Sequence, residues 1–252
     1  MSFDVAAESY DRFMGRFSRP LAVLMADAAD VRAGQRALDV GCGPGALSEE
    51  LVSRLGAAAV TAVDPSEQFV AAARSRLPGA RIERAVAEDI PLPDDAVDRA
   101  LAQLVVHFMT DPVAGLAEMG RVTRPDGLLA ASVWDNGGGR GPLSPFWRAV
   151  RELDPAHGGE DSRAGTHAGQ LARLCREAGL RDVQELELTT SLRCETFEDW
   201  WAPFELGVGP GGAYVARLDT AGRTELRDRC ATVLPAAPFT VEATAWCVTA
   251  RP

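Results

Sequence analysis

Residues 36–48, Arg-Ala-Leu-Asp-Val-Gly-Cys-Gly-Pro-Gly-Ala-Leu-Ser, restrict the fold of this chain more than any other stretch. Ala37, Leu38 and Val40 form a short apolar run that ends in Gly41, Gly43 and Gly45, and a helix-like segment, Leu47 to Leu55, follows at once. Strand, glycine turn and helix in that order make a nucleotide-binding βα unit. Glycine has no Cβ and takes positive φ at little cost, so the backbone of such a turn can approach a ligand closely. Asp39 sits inside the strand. A carboxylate there is costly to bury without partners, and we read it as organising the loop and facing a cationic ligand group.

The pattern repeats downstream. A second apolar run, 59–64, ends on Asp64. Ser66 is placed to cap a helix over 67–77, which Pro78-Gly79 stops. A third strand is expected over about 81–87 and a fourth over about 97–106. Between them, Glu88-Asp-Ile-Pro-Leu-Pro93 is too short and proline-rich for a crossover helix. Asp111-Pro112 opens a helix to Val122, with the acid as N-cap and the proline as first helical residue. A turn at 124–127 and a fifth strand, 128–134, follow. Strands alternating with helices argue for a parallel, doubly wound α/β sheet.

The flanks differ. Residues 4–30 read as helical, with Pro20 starting a second helix. After a glycine-rich loop at 137–142, helices are expected at 145–153 and 167–178 and strands at 182–193 and 240–249. Between those strands, 196–235 is mixed, with a helix from about 221 to 233. Trp147, Trp200, Trp201 and Phe204 in these flanks read as cap core, with pocket lining as the alternative.

Charge narrows the partners. The net charge is −10 and the 26 basic residues are all arginine. An acidic surface disfavours nucleic acid and anionic membranes, whose charge would repel it. Five dispersed cysteines without a C-x-x-C pair indicate neither a metal site nor a disulfide framework. The polar first residues do not read as a signal peptide, and no apolar run approaches the ~20 residues that span a bilayer. The reading is a reduced, cytoplasmic protein.

With these motifs in place, the chain resembles the class I S-adenosylmethionine-dependent methyltransferases, in the branch related to quinone-biosynthesis methyltransferases (methyltransferase type 11). The resemblance covers roughly 36–135 strongly and the two late strands loosely. It implies an α/β, Rossmann-like, doubly wound seven-stranded sheet of order 3-2-1-4-5-7-6, with strand 7 antiparallel and a helical cap. The whole of 1–252 would form one domain. Its cofactor-binding core would comprise about 31–135 plus strands at about 182–193 and 240–249, and its cap 1–30, 137–165 and 196–235.

The resemblance also implies site residues. Asp39, Gly41, Cys42, Gly43 and Gly45 would wrap the methionyl part of S-adenosylmethionine, and Asp64, followed by Pro65, would take both ribose hydroxyls. Phe69 and Ile90 would lie against the adenine, whose amino group Asp89, beside Glu88, would accept. Tyr10 and Arg16 belong to a segment resembling one that closes over the cofactor, Arg16 pairing with the methionyl carboxylate. Gln103 to His107 would stand at the methyl-transfer mouth. There His107 is the candidate general base or substrate orienter, with a histidine satisfied inside the fold as the alternative. Cys42 reads as a loop filler rather than a nucleophile, and neither His157 nor His167 is expected to be catalytic.

The glycine turn by itself also satisfies G-x-G-x-x-A, with an acid about 20 residues on, as in dinucleotide-binding folds. Asp39 argues against that reading, because it would repel a pyrophosphate. The implied function is methyl transfer to a small-molecule acceptor, giving S-adenosylhomocysteine, by a monomer or homodimer without metal. An NAD(P)-binding Rossmann oxidoreductase and a non-catalytic S-adenosylmethionine-binding protein are the alternatives.

Overall fold

The computed structural model describes residues 11–157 and 159–252. A π-helical turn, Asp11–Gly15, leads into helix α1, Arg16–Ala28. Five strands and three helices then follow: β1 (Ala37–Val40), α2 (Ala46–Leu55), β2 (Val60–Asp64), α3 (Glu67–Arg76), β3 (Arg81–Arg84), β4 (Val97–Gln103), α4 (Pro112–Val122) and β5 (Thr123–Trp134). Helices α5 (Ser144–Leu153) and α6 (Gln170–Glu177) precede β6 (Arg181–Cys194). Helices α7 (Phe197–Trp201), α8 (Gly209–Arg217) and α9 (Thr220–Val233) separate it from β7 (Phe239–Arg251).

The strands form one seven-stranded sheet in the order β3-β2-β1-β4-β5-β7-β6. The first five are mutually parallel, and β7 runs antiparallel to both neighbours. Alternation along each strand divides the core. Leu38, Val40, Ala100 and Ala102 face the cluster beneath α4 and α6, whereas Ala37, Leu101 and Ala130 face α1, α2 and the cap. The cap shares that second cluster: Trp200, Trp201 and Phe204 are buried against one another, with Phe13 and Phe146 packed on Phe204. These three aromatics are cap core.

Ser66 and Asp111 cap α3 and α4 as expected, through bonds from Phe69 N–H and from Val113 and Ala114 N–H. Several expectations need correction. Pro20 lies inside α1 rather than at the start of a second helix. It removes one interior hydrogen bond, but Phe17, Leu21 and Met25 are buried at i, i+4 and i+8 and carry the helix through. Strand β3 stops at Arg84 rather than 87, because its partner β2 ends at Asp64 and the next residue, Pro65, has no N–H. Strand β4 stops at Gln103 rather than 106: Leu104 adopts φ +62°, which no strand accommodates. The turn expected at 124–127 is absorbed as a bulge of β5, between the pairs Val97–Thr123 and Arg99–Leu128. Among the described residues, no helix is long and apolar enough to cross a membrane.

Candidate active site

The site lies where the sheet order reverses. After β1 the chain builds outward through β2 and β3, then returns to add β4 on the other side of β1. Loops leaving the carboxyl ends of β1 and β4 therefore part, and a crevice opens between them.

Parallel register sets its floor. Val40 pairs with Val63 and Asp39 with Leu101, so the ends of β1, β2 and β4 lie level. Gly41 and Cys42 both donate to the Val63 carbonyl, at 2.8 and 3.0 Å, which folds the glycine turn back over β2. Gly41 takes φ +71°, and a Cβ there would overlap the Val105 side chain. Gly45, at φ +102°, turns the chain into α2. Asp64 braces the turn: its Oδ2 accepts from Gly43 N at 2.9 Å and its Oδ1 from Ser66 N at 2.8 Å. Burial raises its pKa above the ordinary carboxylate value, against the lowering effect of those two bonds.

Asp39 is 1% exposed. Alternation aims it at α2, where Ser48 Oγ donates to Oδ2 at 2.6 Å. Oδ1 is buried and has no hydrogen-bond partner among the described residues. Desolvation pushes this carboxyl up to about 7. From β4, Gln103 points to the same face; its Nε2 donates to the Ser18 carbonyl at 2.9 Å, and its Oε1 is likewise buried and unpartnered. Asp39, Gln103 and the glycine turn line one cleft. Two unpartnered acceptor oxygens in a single cleft suit a ligand with a cationic donor group. The methionyl ammonium of S-adenosylmethionine meets that requirement, so the residues fit the implied cofactor.

The raised Asp39 pKa has a consequence for the ligand-free protein. The folded state holds this proton more tightly than the unfolded state, so the stabilisation is complete below pH 3.8 and is lost as pH rises through about 7. Relative to Asp39→Asn, the wild type should lose up to about 1.4 kcal/mol of stability per pH unit across that window. Denaturant unfolding of both proteins from pH 4.5 to 8 checks this, and parallel curves would contradict it.

A second cavity adjoins the first through Leu104, which lines both. The left-handed Leu104 ends β4 and sends the chain into a short 3-10 turn, Val106–Phe108, that carries His107 into this second cavity. His107 Nδ1 is buried without a partner among the described residues. Desolvation, with the Arg163 charge second, pushes its pKa down to about 3, so the ring is neutral near pH 7. Phe13 and Met14 from the N-terminal turn, Trp134 from the end of β5, Glu160 from the 154–166 loop and Val208 before α8 complete much of the wall. Phe13 and Met14 belong to the 10–16 segment read as closing over the cofactor, whereas Trp134, Glu160 and Val208 do not stand out in the sequence, because each reaches the cavity by chain packing.

The other expected site residues are spread more widely. Cys42 lines the first cleft, and burial pushes its thiol well up, so it stays protonated. Phe69 is buried on α3. The Pro65 carbonyl accepts from Arg84 Nε at 3.0 Å. Glu88 Oε1 accepts from Asp111 N at 3.0 Å, and Asp89 is exposed. Ile90 packs into the core beneath α4 rather than into the cleft. Arg16 lines neither cavity: its Nη1 donates to the Asp199 carbonyl at 2.6 Å, joining α1 to the cap. A different arginine meets the glycine turn. Arg76 of α3 donates to the Pro44 carbonyl at 2.9 Å and pairs with Asp11 and Glu49, so the N-terminal turn is tied to the motif. Tyr10 lies outside the described residues. His157 stacks on Trp147, and neither it nor His167 lines either cavity.

Comparison with known proteins agrees with this geometry. Residues 38–131, from β1 through most of β5, match the family described as "Methyltransferase domain". An uncharacterized protein of a Streptomyces fradiae transposon is 33% identical over 179 residues, covering 68% of this chain and 50% of that protein. A trans-aconitate 2-methyltransferase of Methylobacterium nodulans is 35% identical over 133 residues, covering 53% of this chain and 51% of the relative. The chain thus spans about half the length of the curated relatives it matches. Among solved structures, the YcgJ protein of Bacillus subtilis superposes with a TM-score of 0.59 at 20% identity, covering 92% of this chain and 98% of that one. Residues 38–131 thus match a methyltransferase family in sequence, and the reversed β7 completes the sheet order expected of the class I S-adenosylmethionine-dependent methyltransferases.

Proposed function

We propose that this protein transfers a methyl group from S-adenosylmethionine to a small-molecule acceptor by direct displacement. The observation that carries the proposal is the pair of cavities meeting at Leu104, one lined by the glycine turn and unpartnered acceptor oxygens, the other mainly apolar.

S-adenosylmethionine supplies a methyl group on a positively charged sulfur, a leaving group that needs no further activation. The chain's own work is then alignment and exclusion of water. In the proposal Asp39 and Gln103 hold the ammonium, and Asp64 takes the ribose hydroxyls while bracing Gly43. Phe69 and Asp89 remain the proposed contacts at the adenine end. His107, neutral and with its pKa pushed down to about 3, is suited to hydrogen-bond an acceptor but too weak a base to retain its proton at neutral pH. Small-molecule acceptors are also supported by the trans-aconitate methyltransferase among the relatives. Five buried thiols suit a reducing, cytoplasmic setting.

Calorimetric titration with S-adenosylhomocysteine and, separately, with NAD tests the proposal. Saturable binding of the homocysteine nucleoside is expected. Saturable NAD binding without it would overturn the reading in favour of an oxidoreductase.

A further inference from the structure

The second cavity states its own preference for a ligand. Its wall is mainly apolar, built by Phe13, Met14, Leu104, Leu143 and Val208 among others, and no lysine or arginine lines it. Its one ionisable acid is Glu160, which is 9% exposed and whose Oε2 accepts from Trp147 Nε1 at 3.1 Å. Burial raises the Glu160 pKa above the ordinary carboxylate value. The Arg163 guanidinium lies over the Phe108 ring of this wall, 4.9 Å from its centroid, and its charge acts on both His107 and Glu160, so the ligand class is set by the wall's hydrogen-bonding groups rather than by charge.

Besides Asn136 and Glu160, two residues of this wall carry unpartnered nitrogens. Trp134 is 5% exposed, yet its Nε1 is buried without a hydrogen-bond partner among the described residues. Its ring packs edge-on against Phe17, with centroids 6.4 Å apart, which fixes the indole at the end of β5. His107 Nδ1 is the second unpartnered nitrogen of the same cavity. A buried donor left unpaired costs about 1–3 kcal/mol, so the pair marks where a ligand's polar group belongs. The indole nitrogen only donates, whereas a neutral imidazole nitrogen can accept. A hydroxyl answers both at once, accepting from one nitrogen and donating to the other. A carboxylate only accepts, and Glu160 stands in the same wall.

We infer that this cavity selects a neutral, largely apolar acceptor bearing a hydroxyl group, which the Trp134 indole N–H and His107 Nδ1 hold between them. The word acceptor rests on the methyltransferase reading; the ligand class rests on the cavity alone. Trp134 becomes the specificity-determining residue.

The test uses 2-naphthol and 2-naphthoate, probes with the same apolar body, titrated calorimetrically at pH 7 into the wild-type protein with and without S-adenosylhomocysteine. Naphthol is expected to bind about tenfold or more tightly than naphthoate. Trp134→Phe is expected to weaken naphthol roughly 3- to 10-fold, the loss of one buried hydrogen bond, while S-adenosylhomocysteine affinity stays unchanged. Naphthoate binding as tightly as naphthol, or no naphthol binding, would overturn the inference. So would a folded Trp134→Phe protein that binds naphthol as the wild type does. The wild-type comparison decides the ligand class even if the variant fails to fold. Failure to bind S-adenosylhomocysteine counts against the methyltransferase reading, while the two naphthalene titrations still decide the cavity's preference.

Discussion

Gly41→Ala should lower the stability of the protein by about 2–5 kcal/mol. Two separate costs combine. The position holds φ +71°, and a left-handed backbone at a residue with a side chain costs roughly 1–2 kcal/mol. The new Cβ would also overlap Val105, and overpacking of this kind costs about 1–3 kcal/mol. Neither cost relaxes easily. The Gly41 N–H is held by the Val63 carbonyl at 2.8 Å, and Val105 follows the left-handed Leu104 at the end of β4. Denaturant unfolding measures the loss. The double variant with Val105→Ala should recover the steric part and leave the backbone part. A single variant within about 0.5 kcal/mol of wild type, the range of an ordinary surface change, would show that Gly41 is not constrained in this way.

Asp64→Ala should weaken S-adenosylhomocysteine binding by about 1–3 kcal/mol, roughly 5- to 150-fold. The carboxylate serves the site twice. It receives Gly43 N–H and Ser66 N–H on its two oxygens, which sets the glycine turn and the start of α3. Its remaining acceptor capacity is what the proposal assigns to the ribose, since an ionised carboxylate has about four lone-pair sites. Alanine removes both roles and leaves two turn N–H groups without their acceptor. Asp64→Asn separates them, because the amide can still accept one turn bond but meets the other N–H with a donor. It should fall between wild type and alanine. Calorimetry with all three proteins gives the order, and an unchanged affinity for Asp64→Ala would remove this residue from the cofactor site.

Much of the cleft around the glycine turn was legible in the residues because its causes are local. Glycines at 41, 43 and 45, an acid within an apolar strand, and the Ser66 and Asp111 caps act within a few residues of themselves. Period-two alternation is enough to put Asp39 on one face of β1, and the run of strands and helices is enough for the parallel β1–β5 half of the sheet. The order beyond β5 came from the family resemblance, and the observed β7, antiparallel between β5 and β6, agrees with it.

The second cavity had no such signature. Phe13, Leu104, Trp134, Glu160 and Val208 come from five segments spread over almost 200 residues, and no spacing rule connects them. Leu104 looks like one more apolar strand residue until the left-handed turn ends β4 there and makes it the wall between two cavities. Arg16 and Arg76 show the same limit: the family resemblance implied Arg16 at the cofactor, while packing joins Arg16 to the cap and brings Arg76 to the Pro44 carbonyl. The sequence by itself determined the strand-turn-helix unit and its acids, because backbone sterics and alternation are properties of neighbouring residues. Only the tertiary structure decided which side chains enclose the second cavity and which polar atoms are left there unpaired, because those depend on how distant segments exclude water from one another.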